Sequence, residues 1–248
     1  EVLSIDEFRG NSGGETFQCI LTSPEKQQIF DILADRKKKT ILEYLKKFPN
    51  LDEVKYFVMD MNHVYLGICK ELFPNARPVA DRFHYTRCCT EAVEAVRKRV
   101  QDSLSSKARK RFKKSRKLLL KKDGKLSPEE RVAVEALLAH SEDLTRAWLL
   151  KEDFYRFLQS KDSDEAKKKL DQFCYSAKKL QLPEFEPLLK TLKNWEPYIL
   201  NSFDCPYSNG FTEGTNNSIK VLKRVTYGMP NFRNFRARIL HCCSKVVP

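Results

Sequence analysis

Short runs that are mostly apolar, bounded by turn residues, alternate with helically spaced apolar positions over the first 80 residues. Predicted strands occupy residues 2–6, 17–22, 28–33, 54–60 and 76–81, and predicted helices occupy residues 38–48 and 62–72. Three successive strands followed by alternating strands and helices are typical of a mixed sheet with helices on both faces. The pattern therefore predicts an α/β fold with the order β-β-β-α-β-α-β.

From about residue 84 the apolar spacing becomes helical. Amphipathic stretches lie at residues 92–104, 128–139, 144–158 and 166–180, and a last helix is predicted over residues 212–224. Ser127 followed by Pro128 is a typical helix start. We therefore divide the chain into the first part of an α/β core at 1–84, an α-helical insertion at 85–206, and a C-terminal part at 207–248 that returns to the core.

Positive charge is concentrated in two segments. Lys and Arg number 46 against 33 Asp and Glu, a net charge of +13. Residues 97–125 hold 14 basic and 2 acidic residues, and residues 219–248 hold 7 basic residues and no acidic one. A single Lys-rich run is more often a solvated helix face, but two such segments beside an acidic remainder favour a nucleic-acid partner. Candidate DNA-binding residues in the first segment are Arg109, Lys110, Arg111, Lys113, Lys114, Arg116 and Lys117.

The N-terminus and the cysteines bear on the compartment. The chain has no run of 18 apolar residues and no signal-peptide pattern, so we predict a protein without a membrane span, located in a cytosol. Because the sequence does not begin with Met, we expect a natural N-terminal portion to precede it. The eight cysteines form no Cys-x-x-Cys pair and are read as reduced thiols. Structural zinc on His84, Cys88 and residues 241–243 is the alternative.

Three acidic residues are candidates for metal chemistry. Asp6 and Asp60 each end an apolar strand, and carboxylates at neighbouring strand ends converge where Mg²⁺ or Mn²⁺ relieves their repulsion. Glu213, in the first turn of the last helix, is the best third acid for two ions around a phosphodiester. Its helical spacing places Asn217 and Lys220 on the same face. Lys223 and Arg224 continue that basic surface.

Five ordered motifs resemble those of bacterial DDE transposases of the ISL-three insertion-sequence family. They lie at residues 3–10, 58–61, 73–76, 81–84 and 212–224. The resemblance implies a ribonuclease H-like core interrupted by an α-helical insertion, with Asp6, Asp60 and Glu213 as the metal-binding triad. Asp81 and His84 match the fourth motif, and we assign them to support the metal ligands. The alternatives are a structural ion pair between Asp81 and Arg82 and a packing role for His84.

The resemblance further implies Mg²⁺-dependent DNA strand cleavage at element ends and strand transfer into target DNA, on two bound ions. Its expected partners are transposon ends and target DNA, with a homodimer on DNA and a nucleoid-associated location in the bacterial cytoplasm. In full-length members a zinc-binding and helix-turn-helix region precedes the part matched here. The competing predictions are a ribonuclease H-like nuclease that does not integrate DNA, a catalytically inactive DNA-binding relic, and a helical interaction scaffold.

Overall fold

The structure, a computed structural model, describes residues 1–243, apart from the side chains of Lys107 and Arg111. The predicted DNA contact of Arg111 therefore lies outside the described residues, as does the end of the basic tail. The chain forms two compact units. The α/β unit comprises Glu1–Arg82 and the chain from Pro197 onward, and the helical unit comprises Phe83–Glu196.

A mixed sheet organises the α/β unit. Its strands are β1 (Val2–Phe8), β2 (Gln18–Ser23), β3 (Gln28–Leu33), β4 (Tyr56–Met59) and β5 (Arg77–Ala80). They are arranged in the order β3-β2-β1-β4-β5, with antiparallel pairing from β3 to β1 and parallel pairing from β1 to β5. The predicted α/β class and the predicted order of strands and helices are thus confirmed.

Helices of the same unit cover the sheet. They are α1 (Lys38–Leu45), α2 (His63–Leu72), α10 (Gly210–Val225) and α11 (Phe232–Cys243), while α9 (Glu186–Asp204) ends in this unit. Phe8 and Ile20 pack with Ile219 of α10 and Phe235 of α11 in one buried cluster. Strand residues alternate between faces, so Ser4 and Asp6 lie on the same side of β1 as Phe8. That side of the sheet therefore faces α10.

The opposite side of β1 meets α2. Tyr65, which is fully buried, donates a hydrogen bond of 3.2 Å from its hydroxyl to Glu7. Glu7 is adjacent to Asp6 in sequence and therefore points to the other face of the strand. The prediction that helices cover both faces of the sheet agrees with these two sets of contacts.

The helical unit is built around aromatic side chains. Its helices are α3 (Arg82–Asp102, which begins one residue earlier), α4 (Ser106–Lys113), α5 (Arg116–Leu120), α6 (Pro128–Leu138), α7 (Glu142–Phe157) and α8 (Ser163–Leu180). Phe154 contacts Phe173 with ring centroids 5.2 Å apart. Buried Lys151 donates hydrogen bonds to the carbonyls of Leu119 (2.8 Å) and Lys121 (2.7 Å), which fixes the chain after α5. Within the described residues, no helix has the length and apolar character needed to cross a bilayer.

Several helix boundaries differ from the sequence prediction by a few residues. The first helix ends at Leu45, three residues before the predicted end, because Pro49 disfavours helical backbone at Phe48. Helix α3 starts at Arg82, close to residue 84 where the helical spacing begins in the sequence, and its buried Tyr85 and Cys89 belong to the apolar stripe. The predicted start at Ser127 is confirmed, since its hydroxyl and the Glu130 carboxylate form a capping box.

An ion pair between buried Asp31 and partly exposed Arg236 gives the α/β unit a testable pH dependence. Burial disfavours ionisation of Asp31, but hydrogen bonds from Arg236 and Tyr44 outweigh it and lower the pKa of Asp31. A lowered folded-state pKa means that this stabilisation is present above the unfolded value of about 4 and is lost as pH falls through the folded value. Replacing Arg236 should therefore reduce the free energy of unfolding more at neutral pH than at acid pH.

We expect Arg236→Met to reduce the free energy of unfolding by about 1–2 kcal/mol at pH 7, because the lost hydrogen bonds are to a charged group while Arg236 is 42% exposed. Denaturant unfolding at pH 7 and at pH 3 measures the difference. Arg238→Met, at an exposed position of the same helix, is the control. If the difference in free energy of unfolding between Arg236→Met and Arg238→Met is the same at pH 7 and pH 3, the ion pair does not cause the pH dependence.

Candidate active site

Three carboxylates gather at the carboxyl end of the parallel strands. Asp6 lies one residue beyond the β1 residue that pairs with Met59, Asp60 directly follows Met59, and Asp81 directly follows β5. The backbone N–H of Asp81 also donates to the carbonyl of Met59 at 2.9 Å. Since adjacent strands lie about 4.8 Å apart, this register places the three acids side by side along one sheet edge.

The tightest group of potential metal ligands here is Asp60, Asp81 and His84. Each offers one ligand atom, and these atoms lie within 4.8 Å of one another. His84 lies in the first turn of α3, three residues after Asp81, so the local course of the chain brings it there. Among the described residues, this group includes neither Asp6 nor Glu213. Asp81 and His84, which the sequence analysis assigned to support the metal ligands, are therefore close enough to Asp60 to bind the same ion as it.

Both oxygens of the Asp6 carboxylate are held by donors. Its Oδ1 accepts a 2.6 Å hydrogen bond from the backbone N–H of Glu7, and its Oδ2 accepts one of 2.7 Å from Nδ2 of Asn216. Asp6 and Asn216 are both buried. A carboxylate that accepts N–H donors at both oxygens is fixed in direction.

A second asparagine holds Asp81. Nδ2 of Asn209 donates to Oδ2 of Asp81 at 2.9 Å, and Oδ1 of Asn209 accepts from the Ser4 hydroxyl at 2.6 Å. All three side chains are buried. The amide therefore joins β1 to the carboxylate that follows β5, immediately before helix α10 begins.

Glu213 lies on the helix face that carries these asparagines. Asn209, Glu213 and Asn216 are four and three residues apart, so they share one side of α10. The hydroxyls of Thr212 and Thr22 lie 2.7 Å apart in the same buried seam, which fixes the helix over β2. The face of α10 that contacts Asp6 and Asp81 is therefore the face on which partly buried Glu213 lies.

The donor set suits a hard divalent cation. Carboxylate oxygens with one imidazole are ligands that Mn²⁺ accepts, and carboxylates suit Mg²⁺. Oδ1 of Asn216 is buried beside Asp6 and accepts no hydrogen bond from any described residue. The oxygen and nitrogen of the Asn216 side-chain amide cannot be exchanged, because the ionised carboxylate of Asp6 accepts hydrogen bonds and therefore needs the NH₂ group. A cation or its hydrating water would supply the missing partner, so the residues present fit such an ion.

The predicted basic residues of α10 differ in their surroundings. Asn217, Lys220 and Arg224 are exposed, and Nζ of Lys220 donates to Oδ1 of Asn217 at 3.3 Å. Lys223 instead donates to the carbonyl of Arg9 at 3.0 Å, and burial together with the charge of Arg9 lowers the pKa of Lys223. Lys220 and Arg224 are thus more available to an anionic partner than Lys223.

The predicted DNA-binding residues of the helical unit are exposed on or directly beside α4 and α5. They are Arg109, Lys110, Lys113, Lys114, Arg116 and Lys117. Arg109 is paired with Asp102 at 2.6 Å. The cysteines are free thiols, and no described group of three metal ligands contains one. The alternative of structural zinc therefore gains no support from the described residues.

Sequence reasoning missed Asn209, Asn216 and Ser4. Ser4 was detectable, because it lies two residues before Asp6 and must therefore share its face of the strand. Asn209 stands in a predicted turn before the last helix, where polar residues usually cap helices, so its role carried no separate signal. Asn216 is adjacent to Asn217, and the sequence alone did not indicate which of the two faces the sheet.

Comparison with known proteins identifies relatives along most of the chain. A family model described as a transposase, of the DDE ISL-three type, matches residues 3–239. The transposase for insertion sequence element IS1001 of Bordetella parapertussis is 25% identical over 244 residues, which are 96% of this chain and 60% of that protein. The transposase for insertion sequence element IS1557 of Mycobacterium tuberculosis is 27% identical over 195 residues, or 69% of this chain and 43% of that protein.

A shorter match involves a protein of another name. An ATP-dependent protease of Lactococcus lactis is 35% identical over 108 residues, which are 43% of this chain and 33% of that protein. The chain spans about 60% of the length of the IS1001 transposase and less than half of the IS1557 transposase.

The carboxylate cluster predicts stabilisation by divalent cations. Mn²⁺ at 100 times its dissociation constant should raise the melting temperature by about 5–10 °C, because a ligand that binds only the folded state stabilises it by about 2.7 kcal/mol. Asp60→Asn and Asp81→Asn should each remove most of this rise. Thermal melting with and without Mn²⁺ measures it, and Asp52→Asn at an exposed position is the control. A full rise in both site variants would show that the ion binds elsewhere.

Proposed function

Because the chain belongs to the DDE transposase family of the ISL-three type, we propose that it cuts DNA strands at element ends and transfers them into target DNA. Membership of this family supports a role in DNA transposition. The observation that most supports the chemistry is the row of Asp6, Asp60 and Asp81 along one edge of three adjacent parallel strands. Asn216 of α10 donates to Asp6, and Asn209, directly before α10, donates to Asp81.

The fold proposed for this chemistry is a ribonuclease H-like core with an α-helical insertion. Three antiparallel strands continue into two parallel ones, with the catalytic acids at the junction. The chain then leaves the α/β unit for more than 100 residues and returns for helix α10. This course of the chain supports the proposed insertion at 85–206 and the proposed C-terminal part at 207–248. We propose that Glu213 of α10 acts as the third acid beside Asp6 and Asp60.

The proposed metal-binding triad is Asp6, Asp60 and Glu213, for two Mg²⁺ or Mn²⁺ ions. When bound, such ions lower the pKa of an attacking water or DNA hydroxyl and stabilise the leaving oxygen. Asp60 follows the middle one of the three parallel strands, and its carboxylate lies within 4.8 Å of ligand atoms of Asp81 and His84. Asp81 and His84 orient ligands or complete the coordination around Asp60. No side-chain nucleophile is required, because the displacement at phosphorus is direct.

The exposed cations of α10 are proposed to bind the DNA backbone. Lys220 and Arg224 follow Glu213 by two and three helical turns, so they lead away from the carboxylates along one helix. The basic residues of α4 and α5 give the helical unit a phosphate-binding surface of its own. Such contacts give salt-dependent affinity with little sequence preference. Joining two element ends to a target requires two active sites, so we propose a homodimer on DNA.

Asp60→Asn tests the chemistry. It should reduce cleavage at least about 1,000-fold, since loss of a shared metal ligand removes several kcal/mol of transition-state stabilisation. DNA binding should be unchanged or stronger, because a negative charge is removed. The measurements are nicking of supercoiled plasmid in Mn²⁺ and retention of a DNA duplex, with Asp52→Asn as control. Undiminished nicking in Asp60→Asn rejects the triad.

The same assay separates the competing functions. Joining of a labelled oligonucleotide to the plasmid identifies strand transfer, whereas nicking without joining identifies a nuclease. A folded wild-type protein that binds DNA but neither nicks nor joins it is a catalytically inactive relic, and the proposal is then wrong.

Lys220→Gln tests the DNA-binding surface. Removing one phosphate contact should reduce the slope of log affinity against log salt concentration by about 1, equally for unrelated DNA sequences. Fluorescence anisotropy with two duplexes at several salt concentrations measures the slope. Lys26→Gln, at an exposed position in the β2–β3 turn, should leave it unchanged. The same slope in both variants excludes Lys220 from the interface.

A further inference from the structure

We propose that Asn209 and Asn216 are positioning residues, whose amides aim the Asp81 and Asp6 carboxylates and fix Glu213 beside them. The inference rests on the proposed function, because it concerns how carboxylates that bind metal are held. Neither asparagine is itself assigned as a ligand of the triad.

The Asn216 amide determines the direction of Asp6. Its Nδ2 donates to one carboxylate oxygen at 2.7 Å, while the Glu7 N–H donates to the other at 2.6 Å. Without the amide, the second oxygen loses this buried donor, and the direction of the carboxylate is less strongly fixed. Repulsion from Asp60 on the adjacent strand then favours rotation away from the cluster.

The Asn209 amide does the same for Asp81 and adds a tether to the sheet. It donates to Asp81 at 2.9 Å and accepts from the Ser4 hydroxyl at 2.6 Å. Ser4 lies in β1, two residues before Asp6. One side chain therefore fixes a carboxylate after β5 and the start of α10 relative to β1.

The two amides also place Glu213. Asn209 and Asn216 lie before and after it on one helix face, about two turns apart. A helix held at two such points cannot slide along its axis or rotate without breaking a buried hydrogen bond to a carboxylate. The alignment of Glu213 with Asp6 and Asp81 is therefore set by these two residues, whereas Ile219 and the apolar cluster hold the helix down without specifying its register.

One nearby hydrogen bond provides a matched control. The hydroxyls of Thr22 and Thr212 lie 2.7 Å apart in the same buried seam. Thr22 contributes to the attachment of α10, and none of its side-chain hydrogen bonds reaches a carboxylate. Thr22→Val therefore weakens the seam without changing the donors to Asp6 or Asp81.

The experiment compares Asn209→Leu, Asn216→Leu and Thr22→Val with the wild type. Mn²⁺ affinity is measured by titration calorimetry, and the melting temperature is measured without metal. The asparagine variants should bind Mn²⁺ at least about tenfold more weakly, in the range found when outer-shell partners of metal ligands are removed. Thr22→Val should lower the melting temperature but bind Mn²⁺ within about twofold of the wild type.

Two further results decide the proposal. Where a leucine variant fails to fold, the serine variant at the same position keeps a buried polar group that is too short to reach the carboxylate, and the same loss of Mn²⁺ affinity is expected. Wild-type Mn²⁺ affinity in folded variants at both positions overturns the proposal, as does an equal loss of affinity in Thr22→Val.

Plasmid nicking distinguishes this failure from failure of the proposed function. In the asparagine variants the Mn²⁺ concentration for half-maximal nicking should rise at least about tenfold. If the wild type nicks DNA and the variants respond to Mn²⁺ as it does, the positioning role is wrong and the function stands. If the wild type binds Mn²⁺ with the expected differences but never nicks DNA, the positioning role stands and the function is wrong.

Discussion

Repulsion between carboxylates at one sheet edge is the constraint on which the α/β unit depends. Two unit charges about 5 Å apart repel by about 3 kcal/mol at an effective dielectric constant of 20. The fold offsets this cost with donors: Asp6 accepts two N–H groups, and Asp81 accepts an amide. Two of these donors come from residues more than 120 positions away in the sequence. The acidic edge therefore forms together with the docking of α10.

Helix α10 meets the sheet in two ways. Its N-terminal half presents Thr212 and Asn216 to polar partners on β1 and β2, whereas Ile219 enters an apolar cluster with Phe8 and Phe235. Apolar contacts are non-directional and roughly proportional to buried area, so they stabilise the helix without fixing its register. Hydrogen bonds are directional and costly to leave unmade in a buried seam. Stability and alignment therefore come from different residues of one helix.

The sequence predicts those features of the carboxylate edge and of helix α10 that depend on local periodicity. The strand end at Asp60 follows from an apolar run, and the helical position of Glu213 follows from spacing. The predicted strand end at Asp6 is wrong, because β1 continues to Phe8, whose side chain packs in the apolar cluster under α10 and α11. Which asparagine faces the sheet does not follow from spacing, because adjacent helix positions differ by about 100° and the partner of Asn216, Asp6, lies 210 residues away in the sequence. The bond from Asn209 to Asp81 likewise joins residues 128 positions apart. Such pairings depend on the register of the sheet and on how the segment from Pro197 onward packs against it after the helical unit.

The number of carboxylates differs between the predicted triad of Asp6, Asp60 and Glu213 and the cluster of Asp60, Asp81 and His84. Asp60, Asp81 and His84 contribute two carboxylates, whose combined charge when ionised one divalent cation would balance. Asp6, Asp60 and Glu213 carry three, which a single divalent cation leaves uncompensated. The two groups share Asp60, and together their four carboxylates carry four negative charges, equal to the charge of two divalent ions. Charge balance in a partly buried site is therefore compatible with the proposed pair of ions, which the residues of both groups would hold, with Asp60 common to the two.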